Sequence, residues 1–210
     1  MGWFDEFYTE KYDVSLPLKD RTSLLKAKLV SKYIRPKSKI LVLGCGPGYE
    51  CKVLKKIGHE VIGVDINPEM LELAKASCDE VYRADVTKRF PFKARSFDCC
   101  LAFELIEHLA FVDKFIKECK RVLKETGILI LSTPSQSYWK NRLKILLGKD
   151  ILSDEHPRLF TPKSLAEKLR EHGFKVIKII GIGKMGKFLS VRFPFLSLCG
   201  DFIMISEKGE

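Results

Sequence analysis

Residues 40–50, ILVLGCGPGYE, run from an apolar stretch straight into glycines at 44, 46 and 48. Glycine tolerates positive φ and, lacking Cβ, lets another group lie against the backbone. A single glycine would only end a strand; three at alternate positions describe a turn with a ligand laid over it. The following residues, YECKVLKKIG, carry a helical pattern closed by Gly58. The segment therefore reads as strand, glycine turn, helix, and it constrains everything around it.

The same alternation continues along the chain. EVIGVDI at 60–66 reads as a strand, and Pro68 suits the first position of the helix PEMLELAKA. EVYRAD and SFDCCLAF read as two further strands, FVDKFIKECKRVLKE as an amphipathic helix stopped near Gly127, and GILILST as a fifth strand stopped by Pro134. TPKSLAEKLREHG begins with a Thr-Pro helix start; the strands FKVIKIIGI and DFIMISE finish the chain. Upstream, residues 20–34 place leucines, Val30 and Ile34 at helical spacing before Pro36.

Strands alternating with helices imply right-handed βαβ units and a parallel sheet covered on both faces. The last two strands lack a helix between them and are expected to pair antiparallel. The expected architecture is α/β: a Rossmann-like, doubly wound, seven-stranded sheet, mostly parallel with an antiparallel last strand. With no repeat or linker visible, residues 1–210 read as one domain, with a helical cap at 1–36 and a substrate-side insertion at 134–160.

Composition narrows the class. The chain has 210 residues, 46% hydrophobic and 30% charged, a balance that excludes a disordered chain. Seven cysteines without a CxxC pair argue against a disulfide or zinc framework and for a reduced, cytoplasmic setting. MGWFDEFYTEKYD lacks the basic start and apolar core of a signal peptide. Arg192, Pro194, Gly200 and Asp201 interrupt the apolar stretch near the C-terminus, so no transmembrane segment is expected. The net charge of +10 admits RNA or an anionic membrane surface as a partner. Scattered lysines, with no arginine-rich run, favour an ordinary solvated surface. Oligomeric state is left open.

In a doubly wound sheet, ligands bind outside the carboxyl ends of the strands, where strand order reverses. The glycine turn ends the first strand there, and the helix after it offers a partly positive N-terminus to an anion. Asp65 ends the second strand, where a carboxylate can accept from both hydroxyls of a ribose and would repel a 2′-phosphate. Asp85 ends the third, where it could meet an adenine amino group or serve only a turn. The three strand ends outline an adenosine with an anionic tail. A dinucleotide is disfavoured, because GCGPG is followed by Glu50 and Cys51 rather than by a third helix glycine.

The chain resembles the class I S-adenosylmethionine-dependent methyltransferases, specifically the small-molecule type that includes the ubiquinone-biosynthesis O-methyltransferases. The resemblance runs from about Ile40 to Phe174 and rests on LVLGCGPG, VIGVDINPEML, RADV, FDCCLAFELIEHL, RVLKETGILILSTPS and HPRLFTPKSLAEKLREHGF. It implies S-adenosyl-L-methionine as cofactor and S-adenosyl-L-homocysteine as product. Gly44, Gly46 and Gly48 would pass beneath the methionine part, with Cys45 lending its backbone. Asp65 would hold the ribose diol, Ile66 would pack on the adenine, and Asp85 and Val86 would meet its edge. Phe103, Glu104 and Leu105 would line the cofactor near its sulfonium.

The implied reaction is methyl transfer to O, N or C of a small metabolite or lipid-linked precursor. An RNA or protein methyltransferase and a silent cofactor-binding partner subunit are the alternatives. AFELIEHL stands where base-amino methyltransferases carry an Asn/Ser-Pro-Pro-aromatic signature, which counts against a nucleobase acceptor. His156 and His108 are the acid–base candidates, since imidazole titrates near working pH; each also reads as a structural histidine. Trp3, Phe4, Phe7, Tyr8, Tyr12, Tyr138 and Trp139 could form an aromatic lid, Trp139 equally a core residue. No cysteine/histidine group has metal-ligand spacing, so no metal is expected.

Overall fold

The structure, a computed structural model, describes residues 21–148, 150–151, 158–182, 188–189 and 199–209. Eight strands form one sheet in the order β3-β2-β1-β4-β5-β8-β6-β7. In chain order they are β1 (Lys39–Leu43), β2 (Glu60–Asp65), β3 (Glu80–Arg83), β4 (Phe97–Phe103), β5 (Leu123–Pro134), β6 (Phe174–Ile182), β7 (Phe188–Leu189) and β8 (Asp201–Lys208). The first five strands run parallel, and β8 lies antiparallel between β5 and β6. The seven expected strands are all present, with the last one reversed. The two-residue β7 on the outer edge of β6 is an addition.

The described helices are α1 (Arg21–Val30), α2 (Tyr49–Lys56), α3 (Pro68–Ala74), α4 (Val112–Val122), α5 (Trp139–Leu146) and α6 (Pro162–Glu171). Period-two alternation in the strands sorts their side chains between two cores. Leu41 and Leu43 of β1 face Phe115 and Ile116 of α4 and Leu165 and Leu169 of α6. Ile40 and Val42 face the other way, toward Val30 of α1, Leu54 of α2 and Leu71 and Ala74 of α3. A strand buried on both faces must be apolar throughout, which is why KILVL shows no polar alternation.

Two elements differ from expectation. The helix before the fifth strand stops at Val122, and β5 begins at once at Leu123. Leu123 pairs with Phe97, then the register jumps so that Ile128 meets Cys99. The residues between bulge out, and Gly127 sits where a Cβ would come within 2.9 Å of Leu123 Cδ2 and Lys124 O. Gly127 thus serves a crowded bulge rather than a helix stop. Second, residues 139–146 form α5, a helix with no buried residue, and Trp139 is exposed against the edge of Tyr138. The core-packing reading of Trp139 is therefore wrong. The segment is tied back to the body by a bridge between Ser135 and Phe160.

The chain runs β1, β2, β3 outward along one half of the sheet, then crosses back to place β4 on the other side of β1. That reversal sets the carboxyl ends of β1 and β4 side by side and opens a crevice above them.

Candidate active site

Above these strand ends lies a cavity of about 510 Å³, a size suited to a small ligand. Its floor is the glycine turn. Gly44, Gly46 and Gly48 all hold positive φ, at 65°, 49° and 84°. A Cβ on Gly44 would press on Leu105 at 3.1 Å, whereas one on Gly46 would meet nothing within 4 Å. Gly46 therefore opens its bare backbone to the cavity. Gly48 does not line it; Gly48 caps α2, and a Cβ there would strike Ser77 Cβ at 2.9 Å and Ala74 Cα at 3.2 Å. Two of the three glycines line the cavity, and the third lets α2 pack against α3.

Asp65 locks the turn from the neighbouring strand. Its Oδ2 accepts from Gly46 N and its Oδ1 from Asn67 N, both at 2.9 Å. Burial pushes its carboxyl above the ordinary range, while those backbone N–H groups oppose the shift. Each oxygen keeps a lone pair for a further donor. The helix cap falls to Asn67, whose side chain accepts from Glu69 N and Met70 N, so Asp65 remains available to a ligand. Asp85 accepts from both Thr87 N and Thr87 Oγ1, at 2.9 and 2.6 Å. Burial would raise it, but these bonds and Lys88 hold the carboxyl below its usual range. Its side chain is partly exposed to the cavity while the turn keeps it charged.

The opposite wall comes from β4. Gly44, Cys45, Gly46, Asp65, Ile66, Asp85, Val86, Phe103, Glu104 and Leu105 all line the cavity, together with His108. Glu104 adopts left-handed φ at 48°. It is held there by Lys26, whose Nζ donates to Oε1 at 2.7 Å, and by the Ser132 hydroxyl. Lys26 itself is buried and reaches Glu104 from α1. Behind Glu104, Glu107 is fully buried with neither carboxyl oxygen hydrogen-bonded, and the Thr133 hydroxyl is likewise unbonded. Burial, and then the Glu104 charge, push Glu107 up to about 8. Asp201, at the start of β8, is pushed up to about 6 by burial and again by Glu104, with Lys26 opposing.

Other lining residues escaped sequence reading: Ser23, Tyr49, Glu50, Met70, Thr87 and the mostly exposed Phe111. Glu50 and Phe111 stood two positions past recognised motifs, in GCGPGYE and IEHLAF. Lys26 gave no signal, because its partner lies 78 positions away. His156 and the N-terminal aromatics Trp3, Phe4, Phe7, Tyr8 and Tyr12 lie outside the described residues.

The observed cradle fits an adenosyl group with a charged tail. It offers a bare glycine floor, a carboxylate with spare lone pairs at the second strand, and a carboxylate at the third. Residues 41–131 match the family model described as a methyltransferase domain. The chain is similar to the ubiquinone biosynthesis O-methyltransferase of Bartonella bacilliformis, with 30% identity over 69% of this chain and 62% of that protein. Its counterpart in Brucella anthropi is 25% identical over 77% of this chain and 73% of its own. The chain thus spans about three fifths of the length of several curated relatives that it matches. Among solved structures, a SAM-dependent methyltransferase from Thermotoga maritima superposes with a TM-score of 0.75 at 22% identity, over 98% of this chain and 97% of that one. That likeness is one of fold.

Proposed function

We propose that this chain, which belongs to the class I S-adenosylmethionine-dependent methyltransferases, transfers a methyl group to a hydroxyl of a small molecule. The observation that carries the reading is the cavity in which Gly46, Asp65 and Asp85 converge from three strand ends. When bound, the cofactor supplies a methyl group activated by a positive sulfur. In this reading Asp65 accepts from the ribose hydroxyls, Ile66 packs on the adenine and Asp85 with Val86 meets its edge. The turn at Gly44–Gly46 carries the methionine part, and Phe103, Glu104 and Leu105 close the side where the acceptor enters.

In-line displacement requires alignment and exclusion of water before anything else. Leu105, Leu109 and Phe111 give this side of the cavity an apolar wall, which suits a small organic acceptor. A hydroxyl acceptor is supported by the names of the relatives, which are O-methyltransferases. A hydroxyl must also lose a proton, and His108 is the imidazole on the same wall. The whole of residues 1–210 would act as one domain, with 134–160 lying on the acceptor side. A reduced cytoplasmic setting fits the seven cysteines, all free and buried. Among the described residues no helix is long and apolar enough to cross a membrane.

Incubating the protein with methyl-tritiated S-adenosylmethionine and a fractionated extract of its native organism tests the acceptor class. Label should enter the low-molecular-weight organic fraction in an alkali-stable ether. Label in RNA or protein instead would overturn the small-molecule reading.

A further inference from the structure

A second group of reactive side chains lies beneath the glycine turn, and methyl transfer makes no use of it. Cys45 comes from the turn, Cys51 from α2, and Cys78 from the connection between α3 and β3; all three are buried. Their side chains interact with one another. Gly63 of β2 makes the room: a Cβ there would lie 2.8 Å from Cys78 Sγ and 3.0 Å from Cys45 Sγ. The two sulfurs therefore lie within about 6 Å of each other, and closing that gap to a disulfide bond draws their backbones together as well. Among the described residues no group of three or more His, Cys, Asp or Glu is arranged to hold a metal ion, so a metal is not what gathers them.

Two further features bear on reactivity. Cys45 borders the cavity, which gives a small oxidant a route to the cluster. The Cys45 thiol donates to Gly46 O at 3.6 Å, and the neighbouring Cys45 and Cys51 side chains, with the Lys55 ammonium, draw the Cys78 thiol below the ordinary thiol range. Lys55 is held in place by the Cys78 carbonyl at 2.9 Å and by Asp79.

We propose that Cys45 and Cys78 form an oxidisable dithiol whose oxidant is a peroxide, and that the resulting disulfide pulls the glycine turn out of its ligand-binding shape. The Cys78 thiolate attacks one oxygen of hydrogen peroxide, breaking the O–O bond and becoming a sulfenic acid. The released hydroxide takes a proton to become water. The Cys45 sulfur then attacks the Cys78 sulfur, the S–S bond forms, and the sulfenic oxygen leaves as a second water with the Cys45 proton. One peroxide is reduced to two waters while two thiols are oxidised.

The turn cannot follow this change without loss. Cys45 N donates to Val64 O at 3.0 Å, and Cys45 O accepts from Gly48 N at 2.9 Å. Gly46, the next residue, is pinned to Asp65. On the far side, Gly48 is already tight against Ser77, the neighbour of Cys78. Drawing Cys45 toward Cys78 therefore strains the one segment whose bare backbone faces the cavity.

The consequence for binding rests on the cofactor reading above; the disulfide itself does not. Full-length protein is treated with hydrogen peroxide, alkylated and mapped by peptide mass spectrometry, and parallel samples are titrated with S-adenosylhomocysteine. The expected result is a Cys45–Cys78 cross-link with loss of two hydrogens. Affinity should fall at least about tenfold, as for a site that has lost its preorganisation, and dithiothreitol should restore it. Cys78→Ala, outside the cavity wall, should bind like the parent and keep its affinity after peroxide; Cys78→Ser serves if the alanine variant fails to fold. Thiols that stay free, a cross-link between other cysteines, or a cross-link without change in affinity would each overturn the proposal. If the reduced parent does not bind S-adenosylhomocysteine, the cofactor reading falls, and the peptide map still decides the disulfide.

Discussion

At Asp65 one carboxylate does two jobs, fixing the glycine turn through Gly46 N and keeping lone pairs for a ligand. The ligand role proposed for it rests on a signal legible in the sequence, because an acid at the end of the second strand has few other uses once Asn67 caps the helix. Its turn-fixing role was not, since Gly46 lies 19 positions away and only strand pairing brings the two together. Asp65→Ala is expected to weaken S-adenosylhomocysteine binding by roughly 2–4 kcal/mol, the loss of charge-assisted bonds to two hydroxyls. Calorimetry of the variant checks this, and unchanged affinity would remove Asp65 from the site. His108 carries the proton question. With a hydroxyl acceptor, His108→Ala should lower kcat by roughly 10²–10⁴-fold and erase the acidic limb of the pH–rate profile, because the imidazole acts only when neutral. A variant with full kcat at every pH would make His108 structural.

Among the elements, those with local signals were the readable ones. Asn67-Pro68 opening α3 and Thr161-Pro162 opening α6 were both visible as helix starts, and both are capped in the structure. Asn67→Ala should cost about 1 kcal/mol, the usual worth of such a cap. Chemical denaturation measures it, and a loss below a few tenths would mean that α3 is held by Met70, Leu71 and Ala74 packing alone. The α4–β5 boundary was unreadable because Gly127 looks like a helix stop, yet pairing of Leu123 with Phe97 recruits those residues into the sheet. Helix α5 was missed for the opposite reason: WKNRLKIL buries nothing, so no core constrains its pattern.

The whole molecule brings three acids together around Lys26 beside the cavity, where no single segment announces them. Glu104 directly follows β4, Glu107 lies in the short 3-10 turn Ile106–His108 after it, Asp201 opens β8, and Lys26 comes from α1. Glu107, pushed up to about 8 from an ordinary 4.5, keeps a proton in the folded chain that the unfolded chain releases across that window. Folding stability therefore falls as pH rises from 4.5 to 8, by up to about 1.4 kcal/mol per pH unit for this group. Asp201, raised to about 6, adds in the same direction at the lower end. Relative to the parent, Glu107→Gln should raise the melting temperature at pH 8 and leave it little changed near pH 4.5; parallel pH profiles would refute this. The net charge of +10, by contrast, has no gathered counterpart in the cavity, whose charged walls at Asp65, Asp85 and Glu104 are acidic. The central claim is that the glycine turn and the two strand-end carboxylates hold an adenosyl group with an amino-acid tail. Calorimetric titration of the reduced, full-length protein with S-adenosylhomocysteine and, separately, with NAD tests it most directly. Saturable one-to-one binding of S-adenosylhomocysteine and none of NAD is the predicted result; binding of NAD, or of neither, would contradict it.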